Sequence, residues 1–460
     1  MQYFLLNYLD LQLNIKRNMR QIPYIVFLTI MLFFTSCGED RSGEFYTLIE
    51  DRMWIEKIMR ENYLWAQDMP TIEKDNDYFQ QPTIFFKNML SKQALNGKGD
   101  KYSYLEETKV KTEKETRSLM LDRTSTYGME FTLTSDPTGT TNHTFARVLY
   151  VLPGSPAEEA GFQRGNWISA INNKRITSDN YQQLLKGGSI LLARDQIIQT
   201  ENGLGWKAVD TLKIGASVKM EINPFLIHKI FNVNEQKIAY LVYNEFSTGP
   251  NNESSESVYN EQMKQIFMQF KEESSDALIL DFRYNNGGYL QCAQTIGSLL
   301  VPSSALGKDF INLTFNEQAD PQIVRYPFNP EYADANLNLN KIYILTGNQT
   351  ASASEAVING LIPYMGAENV VLIGTKTEGK NVAMKSFKNE TYGLTLWPVI
   401  AYISNANNEG NYSEGFEPHY KLNENDISFW HDLGDPKEYL LKNTLSLITT
   451  GTMPDLVDIK

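Results

Sequence analysis

The spacing of apolar residues changes twice along this chain. Over 45–120 it is helical: Trp54, Ile55, Ile58 and Met59 share a face, as do Phe85, Phe86, Met89 and Leu90, with Pro70 and Pro82 as breaks. This predicts a small N-terminal helical domain over 45–120, in which the Lys- and Glu-rich stretch 106–117 is a solvated helix or linker. Over 127–224 the runs shorten to strand length between turn residues, as in Gly128-Met129-Glu130-Phe131, 145–151 and 165–172. The stretch 187–210, with apolar Ile190-Leu191-Leu192, reads as a hairpin or a lid. Over 230–450 strands and helices alternate. Strands at 238–246 and 277–282 flank a helix carrying Met263, Ile266, Phe267 and Phe270 on one face, and strands at 342–345 and 370–373 flank a helix that starts after Ser352. A strand-like run at 394–403 and a final helix with Leu441, Leu445 and Ile448 follow. Such alternation argues for an α/β layer architecture.

The N-terminus follows a different rule. Lys16, Arg17 and Arg20 precede an apolar run over 22–34, and small residues lead to Cys37. A positive start, an apolar middle and small residues before a cut site make a secretory signal, and the run is short for a membrane span. Met19 serves equally well as its start. Ending on Cys37, residues 1–37 resemble a bacterial lipoprotein signal, which implies lipidation of Cys37 and a cell-envelope protein anchored to the outer membrane on its periplasmic or surface face. Glu39 and Asp40 resemble the surface-export tag of Bacteroidetes lipoproteins. The only other cysteine is Cys292, so unless the two pair, stability rests on core burial. At 460 residues with 42% hydrophobic content the chain has room for that core. The net charge of -13 argues against nucleic acid as a partner, since no basic excess exists to release counterions.

Three loops of the 230–450 region carry candidate chemistry. Gly287-Gly288 follows the 277–282 strand and is either an ordinary turn or a place where backbone amides converge on an oxyanion. Thr350-Ala351-Ser352-Ala353-Ser354-Glu355 fits a capping box at a helix start, and also a presented serine. A serine hydroxyl needs a base to take its proton. None of the four histidines, His143, His228, His419 and His431, sits in a motif suited to a triad, His419 being the least ill-placed. A lysine can serve if burial keeps it neutral. Lys380, in Glu378-Gly379-Lys380, is the candidate, with Lys376 a competitor more suited to a solvated turn.

Two resemblances extend this reading. Gly154-Ser155-Pro156-Ala157, Ala160-Gly161 and Gly165-x-x-Ile168-x-x-Ile171-Asn172 are similar to a PDZ domain, with Asn166 where that family usually has Asp. The likeness implies that Gly128, Met129, Glu130 and Phe131 hold a terminal carboxylate while the peptide adds as a strand, the alternative being a PDZ kept as a spacer. Asp281-Phe282-Arg283-Tyr284-Asn285-Asn286-Gly287-Gly288, then Thr350 to Glu355, then Gly379-Lys380 resemble the carboxyl-terminal processing, or tail-specific, serine peptidases over residues 127–447. Tyr63-Leu64-Trp65 and Asp100-Lys101-Tyr102-Ser103 look like the helical domain of Bacteroidetes members. The resemblance implies a multidomain α+β protein: a helical domain, a PDZ-like β-rich domain and a ClpP/crotonase-like α/β peptidase core. It makes Ser352 the nucleophile, ahead of Ser354, and Lys380 the general base, with an oxyanion hole from Gly287 or Gly288 and the amide of Ala353. It implies protein or peptide substrates with free C-termini and neither cofactor nor metal. One departure stands out: many members carry a Gln four residues after the lysine to orient it, and this chain has Met384. A catalytically inactive PDZ-containing binding lipoprotein is therefore the second reading.

Overall fold

The structure is a computed structural model describing residues 42–73, 77–107, 125–201, 203–251, 253, 255–427 and 429–454. Cys37, its signal-like segment and most of the charged stretch 106–117 lie outside the described residues. Two compact units divide the rest: 42–57 with 70–89, and 58–69 with 90–454. Helix α1 (Ser42–Asn62) runs through both, and α2 (Pro82–Met89) belongs to the first. In the first unit Tyr78 stacks on Phe85 at 5.5 Å between ring centroids, beside the buried Phe86.

In the second unit a segment inside the region expected to be helical is a strand, β1 (Tyr104–Glu107). Tyr104 stacks on Trp397 at 5.8 Å, a cross-strand aromatic contact that outweighs local helical preference.

The β-rich region is an antiparallel sheet in the order β2 (Met129–Ser135), β3 (Thr144–Val151), β4 (Trp167–Ile171), β5 (Ile190–Thr200) and β6 (Gly203–Ile214). Tyr127, Val148, Phe162, Ile168 and Leu192 form its buried core. The stretch 187–210 resolves into most of the β5–β6 hairpin. Trp206 on β6 stacks on Phe145 at 4.1 Å and its Nε1 donates to Asp136 Oδ1 at 2.9 Å, so the hairpin packs onto its own sheet. β2 is an edge strand, with no strand on its outer side among the described residues.

The third region is built on a six-stranded sheet. Its elements in chain order begin with β7 (Phe225–Val233), β8 (Gln236–Tyr243), α3 (Val258–Glu272), β9 (Ala277–Asp281) and α4 (Leu290–Leu300). The antiparallel pair β10 (Asp309–Phe315) and β11 (Ile323–Pro327) comes next, then β12 (Ile342–Thr346), α5 (Ala353–Met365) and β13 (Val370–Gly374). β14 (Val382–Met384), β15 (Phe387–Asn389), β16 (Leu394–Trp397), β17 (Val399–Asn405), β18 (Tyr420–Lys421) and α6 (Tyr439–Thr450) complete it. The sheet order is β7-β8-β9-β12-β13-β18, parallel from β8 onward. Alternate residues of β8 face opposite ways. Ala239, Leu241 and Tyr243 pack with α3, α4 and α5, whereas Ile238, Tyr240 and Val242 pack with α6. Each large apolar side chain buried this way contributes roughly 1.5–3 kcal/mol.

The strand expected over 394–403 is two strands. Pro398 has no N–H to donate, and the ladder breaks there: β16 pairs with β1 and β15, and β17 with β10 and β14. What matters for chemistry is that β9, β12 and β13 are adjacent and parallel. The loops that leave their C-terminal ends, 282–289, 347–352 and 375–381, therefore emerge at one edge of the sheet.

Candidate active site

The first loop is held from below. Arg283 donates to Asp281 Oδ1 through Nε at 2.9 Å and to Glu438 Oε1 through Nη1 at 2.7 Å, all three being buried. Asn285 then acts as a bracket: its Nδ2 donates to Tyr243 O at 2.7 Å, and its Oδ1 accepts from Gly287 N at 2.8 Å. Its carbonyl accepts from Ala351 N at 3.1 Å and Ser354 Oγ at 3.0 Å, which fastens this loop to the serine loop. Gly287 has φ +100°, and a Cβ there would stand 2.7 Å from Ser352 Cβ and 2.9 Å from Ala353 N. Gly288 has φ +140°, and its Cβ would stand 2.3 Å from Phe246 O. Only glycine permits both the backbone angles and the approach. Phe246 N donates to Gly287 O at 2.9 Å and Tyr289 N to Phe246 O at 2.8 Å, so the Gly288 peptide is fixed from both sides. Among the described residues, the Gly288 and Ala353 N–H groups have no acceptor, whereas that of Gly287 is spent on Asn285.

In the second loop the chain passes from β12 to α5 in a tight turn with Ser352 at φ +56° and ψ −113°. A non-glycine residue held at such angles costs roughly 1–3 kcal/mol, so the surroundings must enforce it. Thr350 Oγ1 donates to Phe282 O at 2.8 Å, and Ser352 N donates to Glu355 Oε2 at 3.0 Å. Ser352 is half-buried while Ala351, Ala353, Ser354 and Glu355 are buried, so its side chain is the one presented. Ser354, whose hydroxyl is committed to Asn285 O, is not.

The third loop is tied to the second by one side chain. Glu355 is fully buried, and its Oε2 accepts from both Ser352 N and, at 2.8 Å, Lys380 N. Its Oε1 accepts from Thr377 Oγ1 at 2.6 Å and Gly379 N at 2.7 Å. Burial holds the Glu355 carboxyl above its ordinary pKa, against the pull of these donors. Lys380 makes no ion pair within 4.0 Å among the described residues, and its Nζ lies 5.3 Å from the centre of the Tyr102 ring. Burial pulls its amine below the ordinary lysine value, with Glu355, Glu378 and Asp100 pulling the other way. Lys376, by contrast, pairs with Glu417 at 3.1 Å on the exposed surface.

The histidines lie elsewhere. His419 is a stitch, its Nδ1 accepting from Leu372 N at 3.0 Å, and His431 faces Asp435 at 3.4 Å. His228 sits on β7, and His143 in the turn between β2 and β3. Cys292 is buried, and burial pushes its thiol up to about 12. Among the described residues no group of three or more His, Cys, Asp or Glu is placed to hold a metal ion. In the β-rich region, Gly128 N donates to Thr126 Oγ1 at 2.9 Å and Gly128 O accepts from Leu152 N at 2.7 Å. Within the stretch Gly128 to Phe131, the outward edge of β2 has no strand beside it among the described residues.

Sequence reasoning missed two things. One is that Glu355, legible as a helix cap, also anchors the lysine loop. The other is that Asp100 to Ser103 reaches this edge of the sheet at all. Neither has a local signal, because both depend on contacts between distant segments.

Residues 237–422 match the model of peptidase family S41, residues 52–104 that of the peptidase S41 N-terminal domain, and residues 147–193 that of a PDZ domain. A crystal structure from Bacteroides fragilis NCTC 9343, designated an S41 protease, superimposes with a TM-score of 0.72 at 33% identity, over 87% of this chain and 97% of that one. The chain belongs to peptidase family S41, as a mixed α/β protein with an N-terminal helical region, a PDZ domain and an S41 core. It is 24% identical over 307 residues to a carboxyl-terminal-processing protease of Synechocystis, matching 66% of this chain and 65% of that protein. It is also 24% identical over 283 residues to the carboxy-terminal processing protease CtpA of Bacillus subtilis, matching 60% of this chain and 53% of that protein. The chain thus spans between half and two thirds of these curated relatives.

Proposed function

We propose that the protein is a cell-envelope serine endopeptidase that captures protein C-terminal tails at its PDZ domain and cleaves them with a Ser352–Lys380 dyad. The observation that carries this reading is the single Glu355 oxygen that accepts from the backbone N–H of both residues. A neutral Lys380 takes the proton of Ser352 as Oγ attacks the scissile carbonyl. The oxyanion is held by the two uncommitted amides, Gly288 and Ala353, ready-oriented before the charge forms. Collapse of the tetrahedral intermediate transfers that proton from Lys380 to the leaving amine, and the Lys380 amine then activates water against the acyl-enzyme.

The tail itself would add along the outer edge of β2, where main-chain groups of an edge strand invite pairing. Anchoring rests on Cys37: Cys37→Ser is expected to move the protein from the membrane to the soluble fraction, and an unchanged distribution would remove the anchor.

The test of the dyad is degradation of an unfolded protein with a free apolar C-terminus. Ser352→Ala should lower kcat by at least about 10⁴-fold and Lys380→Ala comparably, whereas Ser354→Ala should stay within about tenfold of wild type. Activity should fall as pH drops through the lowered Lys380 pKa, because only the neutral amine accepts a proton. Wild-type rates from Ser352→Ala would end the assignment. The second reading, an inactive scaffold, is favoured by Met384; it predicts tail binding with no acylation of Ser352 by a serine-reactive probe.

A further inference from the structure

The proposed base needs something to hold it, and Met384 offers an amine no useful hydrogen bond, its thioether sulfur being a weak acceptor. Its place in β14, paired with Val399, gives it a packing role instead. What faces the Lys380 amine is the segment Asp100 to Ser103, which arrives from the far end of the chain and is sewn down on both sides. Asp100 Oδ1 accepts from Tyr102 N at 2.9 Å and Ser103 N at 3.0 Å, and Asp100 Oδ2 accepts from Tyr63 OH at 2.9 Å. Tyr63 OH in turn accepts from Ser91 N at 3.0 Å, and Ser103 Oγ accepts from Val399 N at 2.8 Å. Lys101 pairs with Glu378 at 2.6 Å, two residues from the candidate base. Beyond Ser103 the chain continues into β1, paired with β16. The outcome of all these bonds is the position of one ring: Tyr102, its centre 5.3 Å from Lys380 Nζ.

We propose that Tyr102 is a positioning residue for the dyad, whose ring covers the Lys380 amine, excludes water from it and thereby keeps it neutral enough to act as the base. This inference rests on the Ser352–Lys380 reading. The ring is the operative part, because among the described residues the Tyr102 hydroxyl makes no hydrogen bond to Lys380 or Glu355; the other amine beside the ring is that of Lys101, 4.9 Å from its centre. An aromatic ring exerts two opposing effects on an amine. As an apolar cover it disfavours the ammonium, and as a cation–π partner it favours it. The separation here lies near the outer limit of about 6 Å for the second effect, and the amine is drawn below its ordinary value even though Glu355, Glu378 and Asp100 all face it with negative charge. Desolvation therefore wins.

The experiment is the pH–rate profile of the full chain on a peptide substrate with a free C-terminus, for wild type, Tyr102→Ala and Tyr102→Phe, with Ser352→Ala and Lys380→Ala as controls. Opening the amine to water should move the acid limb of Tyr102→Ala to higher pH by about one unit. At pH 7 its kcat should fall about tenfold and recover at high pH, with KM little changed. Tyr102→Phe, which keeps the ring, should follow the wild-type profile. Should the alanine variant not fold, as thermal unfolding would reveal, Tyr102→Gln carries the same expectation by bringing polar atoms to the amine. An acid limb that stays in place or moves to lower pH in Tyr102→Ala, with Ser352→Ala inactive, overturns the role of Tyr102 and leaves the dyad standing. A Tyr102→Phe variant as impaired as Tyr102→Ala overturns it in favour of the hydroxyl. Controls as active as wild type overturn the dyad, and the Tyr102 role falls with it.

Discussion

Gly287 shows how much of the site hangs on a missing Cβ. Its neighbours allow none: the methyl group of an alanine would press on Ser352 Cβ and the Ala353 amide at less than ordinary contact distance, and its φ of +100° is unfavourable for any side chain. Gly287→Ala should therefore lower kcat/KM at least about 100-fold, comparable to losing an oxyanion donor, while costing roughly 1–3 kcal/mol in denaturant unfolding. An active Gly287→Ala protein would show that the loop yields without disturbing Ser352. Ser354 makes the opposite case, a hydroxyl that looks catalytic in the sequence and is structural in the fold. Losing its bond to Asn285 O should cost about 1 kcal/mol of stability. The motif marks Ser352 as a candidate, whereas which of the Gly287 and Gly288 amides is left without an acceptor depends on the side chain of Asn285, which no local spacing shows.

At the scale of elements, the N-terminus of α5 and the loop after β13 behave as one part because Glu355 joins them. Four donors converge on its two oxygens. Glu355→Gln replaces one oxygen with a donor, leaving buried donors face to face. We expect a loss of about 1–3 kcal/mol in urea unfolding, together with a fall in kcat larger than any change in KM. Wild-type turnover in that variant would mean the lysine loop is held by other contacts. The alternation of strands and helices in this region was readable because buried parallel strands and one-faced helices leave strong periodic signals. The strand at 104–107 and the break at Pro398 show the limit. A four-residue strand has no period of its own, and its partner lies almost 300 residues away.

Across the whole molecule, the PDZ domain and the peptidase core share a buried ionic knot. Arg164, just before β4, donates to Glu424 Oε2 at 2.7 Å and to Leu149 O at 2.8 Å, and also bonds the hydroxyl of Tyr284. Arg283 bonds Asp281, Glu424 and Glu438. The two guanidinium groups push the Glu438 carboxyl down to about 2, against the desolvation that burial imposes. A lowered folded pKa gives stability that is present in full above the unfolded value near 4.5 and is lost as pH falls toward 2. Glu438→Gln should thus cost about 3–5 kcal/mol at pH 7, and the gap from wild type should close as unfolding is repeated at pH values from about 4.5 downward. A gap that does not change with pH would exclude this linkage. The proposed tail capture belongs to the same scale. Amidating the substrate's C-terminus should raise KM about tenfold with kcat little changed, since one charge-assisted contact is lost away from the reacting bond. An unchanged KM would remove the terminal carboxylate from recognition.

The sequence by itself determined the three-part order of the chain, the alternating core and the three short loops with their serine, lysine and glycines, because each is written in local spacing and residue type. It also contained the Met384 departure. Only the tertiary structure decided which of these residues meet: adjacent parallel strands deliver the loops to one edge, one buried carboxylate ties the Ser352 and Lys380 backbones, and the ring of Tyr102 stands 5.3 Å from the Lys380 amine. The physical reason is that burial and hydrogen bonding between segments far apart in the chain leave no periodic trace in the order of residues.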